Sequence, residues 1–397
     1  MSQKKHVALL HAYSRRNSGD GLLVDLSVKM VREALGDDTE VTIVAADPES
    51  FADFDTVLGA PVIANKGLGR IVAAAGVLGS GSTRGTRRLA GLLKSVDLIV
   101  GVGGGYLRAR NATEALKLEV GHMLQMRAAR ASGKPTVYLP QSIGPTRTGA
   151  GPVSEVFGQH LIRLLGGFTS VFVRDDRSRE LLRANANTQR APDLAILEFG
   201  ERAAVPWTAA ASRGGTIKHV AMVLREAPSW TSEQCERYWS SARELISMLE
   251  QRCRVSFAVQ STGRGNDDAA YYRRIGVSGH LPGLGRLLAE DEPDVVVSVR
   301  LHGALESILA GVPAFHLSYE RKGFGAYGDM GVDDWVVNAA GFDPNAVIDR
   351  IFAPRAIEQF WEATHGRIAS IRASRARVIK ALCEAANVAQ AVKAQQC

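Results

Sequence analysis

Short apolar runs alternate with longer amphipathic stretches along most of the chain. His6 to Tyr13, Val41 to Ala46, Asp97 to Val102, Thr136 to Leu139 and Ser170 to Val173 read as strands. Helices are expected over about Leu22 to Leu35, Ala112 to Ala131 and Arg177 to Ala184, another before Ser170, and one or two in the Gly- and Ala-rich segment that carries Arg84, Arg87 and Arg88. Pro206 to Lys218 has small residues and little periodicity, and reads as a linker. The alternation then restarts with a strand at His219 to Leu224, a helix at Thr231 to Arg252, a strand at Val255 to Gln260 and a short helix near Asn266 to Ile275. In Asp294 to Lys322, the run Val295-Val296-Val297 suits a buried parallel strand. A helix from Ala304 to Ala310 follows it, with Gly311 and Pro313 as stop signals, and then a strand from Ala314 to Ser318. Pro354 to Ala394 is mostly helical, with basic and apolar residues alternating as in an amphipathic docking helix.

Strands that alternate with helices predict parallel sheets covered on both faces. The linker divides the chain into two Rossmann-like α/β domains, residues 1–205 and 206–397, the second carrying the C-terminal helices. Two such domains imply a cleft between them, a preferred place for ligands. The length of 397 residues allows two or three domains, and 46% hydrophobic with 22% charged residues places the chain among soluble globular proteins. No run approaches the roughly 18 apolar residues of a membrane span. The apolar stretch after the basic start is too short for a signal peptide and leads into Ser14-Arg15-Arg16-Asn17, so a cytoplasmic protein is expected. Cys235, Cys253, Cys383 and Cys397 fit neither zinc-ligand spacing nor a disulfide framework. The net charge of +7 permits attraction to phosphates or to an anionic membrane surface. Scattered positive charge, 6% aromatic residues and the lack of any nucleic-acid-binding motif speak against a nucleic-acid partner.

Arg300 and His302 fall where the Val295–Val297 strand would end, and Lys322 in the loop after the next strand. Ligands of open α/β sheets bind at the carboxyl ends of strands. In extended chain Arg300 and His302 would share a face, because the side-chain period is two. A permanent cation beside a group that titrates near neutrality suits an anionic substrate that needs a proton. A structural ion pair for Arg300 and a structural role for His302 are the plainer alternatives. Near the N-terminus, the loop Ser14 to Gly21 could hold an anion or sugar hydroxyls, or Asp20 could simply cap a helix. Gly103-Gly104-Gly105 either lets backbone approach a ligand or makes a tight turn, and it lacks the spacing of a dinucleotide fingerprint or a P-loop.

The order of motifs is more specific than any one of them. Asn17-Ser18-Gly19-Asp20, Gly103-Gly104-Gly105, Gln141-Ser142-Ile143-Gly144-Pro145, Val173-Arg174-Asp175 with Ser178, Pro192-Asp193, Arg300-Leu301-His302-Gly303 and Ala310-Gly311-Val312-Pro313 follow in that sequence. This series resembles the polysaccharide pyruvyl transferase family over roughly residues 6 to 340. The resemblance implies a two-domain arrangement like that of GT-B glycosyltransferases. It implies transfer of the enolpyruvyl unit of phosphoenolpyruvate to a saccharide or lipid-linked saccharide, usually as a cyclic ketal. By position, His302 matches the family's essential histidine, Arg300 the arginine two residues before it, and Lys322 a basic residue beyond; Arg225 is carried over on position alone. The donor would lie against Arg300, Lys322 and Arg225. The acceptor would face the N-terminal loops, with Asn17, Asp20, Gly104, Gln141, Arg174 and Asp193. No cofactor beyond the donor substrate and no metal is expected. A GT-B glycosyltransferase with a nucleotide-sugar donor is the rival, separable by whether phosphate or nucleotide is released. A non-catalytic sugar-binding homologue is the other, and the Arg300–His302 pair argues against it.

Overall fold

The computed structural model describes residues 4–144, 152–202, 216–227, 230–263, 266–279 and 281–396. The expected linker up to Gly215, the expected boundary after residue 205, Pro145, His280 and Cys397 lie outside the described residues. The chain divides into two compact units. One comprises Met1–Arg15, Asp20–Leu194 and Ser374–Cys397, the other Arg16–Gly19 and Ala195–Ala373. This division differs from an N-terminal and a C-terminal half in two places, each with a physical cause. Backbone hydrogen bonds from Ser18 N–H to the Gln260 carbonyl (3.0 Å) and from Thr262 N–H to the Arg16 carbonyl (2.8 Å) tie the loop Arg16–Gly19 into the second unit. The end of the helix Ile368–Gln396 goes with the first, where buried Arg375 pairs with Glu33 and Cys383 Sγ lies 3.1 Å from the Ala34 carbonyl.

The first unit contains β1 (His6–Ala12), β2 (Glu40–Ala45), β3 (Val57–Gly59), β4 (Leu98–Gly101), β5 (Gly104–Leu107), β6 (Thr136–Ile143), β7 (Ser170–Val173) and β8 (Thr188–Arg190). All pair in parallel, in the order β3-β2-β1-β4-β6-β7-β8, with β5 beside β6. The second contains β9 (His219–Val223), β10 (Arg254–Phe257), the small hairpin β11 (Thr262–Gly263) and β12 (Asn266–Asp267), β13 (Val295–Ser298), β14 (Ala314–Ser318) and β15 (Val336–Asn338). Its main sheet is also parallel, in the order β10-β9-β13-β14-β15. In each sheet the chain begins in the interior, builds to one edge, and returns to the other side of its first strand. The switch points lie between β1 and β4 and between β9 and β13, where the strand ends leave room for a ligand.

Apolar runs buried on both faces account for the central strands. Val295, Val296 and Val297 of β13 are wholly inaccessible, and burying such side chains stabilises by roughly 1.5–3 kcal/mol each. Six strands were not expected: β3, β5, β8 and β15 have three or four residues each, and the hairpin strands β11 and β12 two each, too few to show a period. β6 runs beyond the expected Leu139, through Pro140, and its pairing with β7 shifts register between Tyr138 and Gln141, around a residue that has no N–H to give. Three boundaries bear on the site. The first helix starts at Ser18 rather than Leu22, the helix after β13 at Leu301 rather than Ala304, and Lys322 lies in the helix Arg321–Met330 rather than in a loop.

The end of β1 is irregular. Its register against β2 shifts between Leu9 and Ala12, and His11 has φ 70°, a left-handed conformation rare outside glycine. The bulge turns the His11 ring inward, 3.1 Å from His122 (Nδ1 to Nδ1) and 2.7 Å from the Tyr138 hydroxyl. His122 sits on a π-helical turn, Glu119–Met123, that interrupts the expected Ala112–Ala131 helix, and its ring stacks on Tyr106 at 4.7 Å. Burial lowers the pKa of both imidazoles. His122 comes down to about 4, and His11, which also feels His122, falls well below its ordinary value.

Both imidazoles are neutral in the fold but take up protons below about pH 6.5 when the chain unfolds. The stability they leave intact above pH 6.5 is therefore lost as pH falls toward about 4. The melting temperature should drop across that window, and His122→Gln should flatten the slope; an unchanged slope would refute the assignment. In the second unit, the buried Tyr272 hydroxyl accepts the Leu224 N–H at 2.7 Å and lies 3.1 and 3.0 Å from the Met222 and Ala258 carbonyls, joining the ends of β9 and β10. Tyr272→Phe should destabilise this unit by about 1–3 kcal/mol in denaturant melts, with the circular dichroism spectrum kept.

Candidate functional site

The second unit brings Arg225, Arg300, His302 and Lys322 to the carboxyl ends of three neighbouring strands, β9, β13 and β14. After β13 the chain turns sharply, because the Ser298 hydroxyl donates to the Arg300 carbonyl (2.8 Å) and accepts the Arg300 N–H (3.1 Å). Arg300 thereby becomes the N-cap of the helix Leu301–Leu309, and His302 lies in that helix's first turn. The expected shared face through a two-residue period is therefore corrected: extended chain ends at Arg300, and His302 follows helical geometry.

Arg300 is 6% exposed. Its Nε donates to both Asp268 oxygens at 3.1 and 3.0 Å, and Nη2 donates to Oδ1. Asp268, 1% exposed, also accepts the backbone N–H groups of Gln260 and Ser261, each at 3.0 Å. The ion pair that was the plainer alternative for Arg300 is thus present, inside the cationic cluster. Arg225 is half-buried. Burial lowers its pKa, as does the neighbouring Arg300 charge, while Tyr319, Asp268 and Glu320 oppose that shift. Lys322 pairs with Glu320 at 2.8 Å. His316, under the cluster on β14, is held neutral with a pKa of about 4, chiefly by burial, with Lys322 and His302 pressing the same way. Its Nδ1–H donates to the Ser298 carbonyl at 2.8 Å. A methyl group at Gly323 would come within 2.4 Å of His316 Nε2, so the helix carrying Lys322 approaches this strand end closely only with glycine there.

His302 is half-buried beneath the loop Arg16–Gly19. A Cβ at Gly19 would come within 2.6 Å of His302 Cβ, so the loop lies directly on the imidazole. Asn17 forms an antiparallel bridge with Ser261, and its side chain accepts the Gly19 N–H at 3.2 Å. The Ser18 hydroxyl donates to Glu306 at 2.9 Å. Glu306 stands four residues beyond His302, one helical turn along the same face. Burial raises its carboxyl pKa, which Ser18, Gln260 and the His302 charge partly draw back. Sequence reasoning missed Asp268, Gln260 and Glu306. No spacing signals a contact made 32 residues away, as for Asp268 and Arg300, or 288 residues away, as for Ser18 and Glu306.

The remaining candidates lie in the first unit. Asp20 is in the first turn of the helix Ser18–Leu35 rather than at its cap. Gly104 (φ 152°) opens β5 opposite Gln141 of β6. Gln141 is fully buried and donates to the Tyr106 hydroxyl at 2.8 Å and to the Val102 carbonyl. Arg174 and Asp193, 4% and 2% exposed, form a buried ion pair, and Arg174 Nε donates to Ser142 Oγ at 2.9 Å. Gln141, Arg174 and Asp193 are thus interior groups that fix the ends of β6 and β7; Gly104 is buried with them, and Asp20 is half-buried. Among the described residues no three His, Cys, Asp or Glu side chains are grouped as metal ligands.

Comparison with known proteins places these features. UDP-GlcNAc 2-epimerase from Neisseria meningitidis bound to UDP-GlcNAc aligns with a TM-score of 0.53 at 11% identity, covering 96% of this chain and 100% of that one. The S. aureus MnaA–UDP structure aligns at 0.52 and 12% identity over 91% of both chains. Phytolacca americana UGT2 complexed with UDP-2fluoro-glucose and pterostilbene aligns at 0.51 and 11% identity, covering 94% of this chain and 95% of that one. At such identities the likeness shows the fold: α/β, with two parallel-sheet domains of the GT-B class. No curated protein matches the chain in sequence. A family model for polysaccharide pyruvyl transferase matches residues 17–321, a span that contains Arg225, Arg300 and His302 and ends one residue before Lys322. On that match, the chain belongs to the polysaccharide pyruvyl transferase family.

Proposed function

We propose that this family member transfers the pyruvate unit of phosphoenolpyruvate to two hydroxyls of a glycan or glycolipid precursor, forming a cyclic ketal in the cytoplasm. The observation that carries the reading is the convergence of Arg225, Arg300, His302 and Lys322 at the switch point of the second unit's sheet. Phosphoenolpyruvate has a phosphate and a carboxylate, and both are anions that guanidinium and ammonium groups bind through charge-assisted hydrogen bonds. Lys322 and Arg225 are the more accessible members of the set. Buried Arg300, fixed by Asp268, supplies a positive centre that does not have to be reoriented when the donor arrives.

The chemistry follows from the donor. His302 gives a proton to C3 of the enol phosphate, and positive charge develops at C2. An acceptor hydroxyl adds to C2 and releases its proton. The C2–O bond to phosphate then breaks, with the electron pair leaving on phosphate. The second hydroxyl adds to the resulting oxocarbenium carbon and releases its proton, closing the ketal. One proton is consumed and two are released, with inorganic phosphate as co-product. The acceptor is assigned to the first unit, with Asp20 offering a hydrogen-bonding group and the buried Gly104, Gln141, Arg174 and Asp193 holding those loops in place. Asn17, expected on the acceptor side, belongs by its contacts to the unit of His302.

His302→Ala should abolish phosphate release from phosphoenolpyruvate, by about 10²-fold or more, with an unchanged melting temperature. Turnover near the wild-type rate would remove His302 as the acid, and nucleotide release from nucleotide sugars in place of phosphate would overturn the donor assignment. For the anion contacts, Lys322→Ala and Arg225→Gln should raise the donor KM about tenfold or more and leave the acceptor KM unchanged. Arg300→Ala is a poorer probe: it leaves Asp268 buried and unpaired, a change that destabilises by about 3–5 kcal/mol.

A further inference from the structure

The helix Leu68–Ser80 in the first unit is inverted relative to an ordinary surface helix. Its small residues Ala73, Ala74 and Gly76, with Val77, are partly buried, while Leu68, Ile71, Val72 and Leu78 are 80%, 65%, 70% and 61% exposed. Surface helices normally turn their large apolar side chains to the core. Eight large hydrophobic side chains are markedly exposed among the described residues, and four of them lie on these thirteen positions. The charge around the helix is one-sided. From Ala60 to Val96 the chain carries Lys66, Arg70, Arg84, Arg87, Arg88 and Lys94, and no aspartate or glutamate. All six cations are exposed, and of these Lys66 is paired, with Glu49 at 3.1 Å.

We infer that this helix and the start of the next, Arg84–Ser95, form a docking surface for an anionic lipid bilayer. An exposed apolar face ringed by Lys and Arg is the pattern of a helix lying in the plane of a membrane interface, with its apolar side chains among the acyl chains and its cations at the headgroups. At thirteen residues the helix is about 20 Å long, too short to span the roughly 30 Å hydrocarbon core. No helix among the described residues is long and apolar enough to cross a membrane, so the attachment is peripheral. A second copy of this chain is the other partner that could cover the face. A two-fold interface would set the same six cations against themselves, with Glu49 beside Lys66 as their one acidic partner among the described residues, and this disfavours it. The inference does not depend on the proposed reaction, since docking is read without turnover.

The test is co-sedimentation of the full chain with vesicles of phosphatidylcholine alone and of phosphatidylcholine with about a third phosphatidylglycerol. Wild type should bind the anionic vesicles at least about tenfold more tightly than the neutral ones, and binding should weaken as salt rises from about 0.1 M to about 1 M. Ile71→Ser with Val72→Ser, and separately Arg84→Glu with Arg87→Glu, should each reduce binding about tenfold or more. These side chains are exposed, so the melting temperature should not move. Failure of wild type to bind anionic vesicles, or wild-type binding by both double variants, would overturn the inference. A concentration-dependent dimer in sedimentation velocity that the Ile71→Ser, Val72→Ser variant dissolves would overturn it as well, by giving the face to a second copy.

Discussion

The second unit's site depends on one buried carboxylate. Asp268 takes the Arg300 guanidinium on one side and two consecutive backbone amides, Gln260 and Ser261, on the other. The Gln260 carbonyl then accepts the Ser18 N–H, Ser261 bridges Asn17, and Gly19 comes down on His302. A continuous series of contacts thus runs from one ion pair to the placement of the imidazole. Buried ion pairs contribute little net stability compared with apolar replacements, but breaking one leaves a charge stranded. What Asp268 contributes is position. It fixes the loop after β10, and that loop holds Asn17 to Gly19 over His302.

The electrostatics of the cluster have the same origin. Arg225, Arg300 and Lys322 are crowded enough that Arg225 is disfavoured as a cation by both burial and Arg300, while Asp268 and Glu320 balance only part of the charge. An anionic ligand with more than one negative group relieves that crowding. The structural neighbours named above hold UDP or UDP-sugars on the same kind of fold, so architecture alone does not select a donor. On the proposed reading the selection comes from the side chains at the strand ends, residues that lie within or beside the span of the family match.

The two α/β halves were legible because their central strands are long apolar runs, and Val295–Val297 announces itself without any context. The edge strands β3, β8 and β15 and the glycine-rich β5 were not, since three or four residues pair only where a neighbour is already in place. Arg300, His302 and Lys322 stand after strands, as their placement in the sequence suggested, but their local geometry was misread. The Ser298 turn begins the helix three residues early, a hydrogen-bonding event that leaves no mark on hydropathy. Gln141, Arg174 and Asp193 were picked out as binding groups, and the fold gives them interior partners instead. Polar residues at strand ends look alike in sequence whether they face a ligand or brace the loops that do.

The loop Arg16–Gly19 has a consequence for how the molecule can be taken apart. It leaves the first unit after Arg15, supplies four residues to the second, and rejoins the first at Asp20. A fragment cut at Leu194–Ala195 would lack the strand of backbone that pairs with Ser261 and Thr262 and the hydroxyl that meets Glu306, so its imidazole would lie uncovered. The tail repeats the arrangement in reverse, with residues after Ala373 belonging to the unit that the N-terminus begins. Although it has two main sheets, one in each unit, the polypeptide is not a tandem of separable modules: each of its compact bodies is completed by chain borrowed from the far side of a boundary.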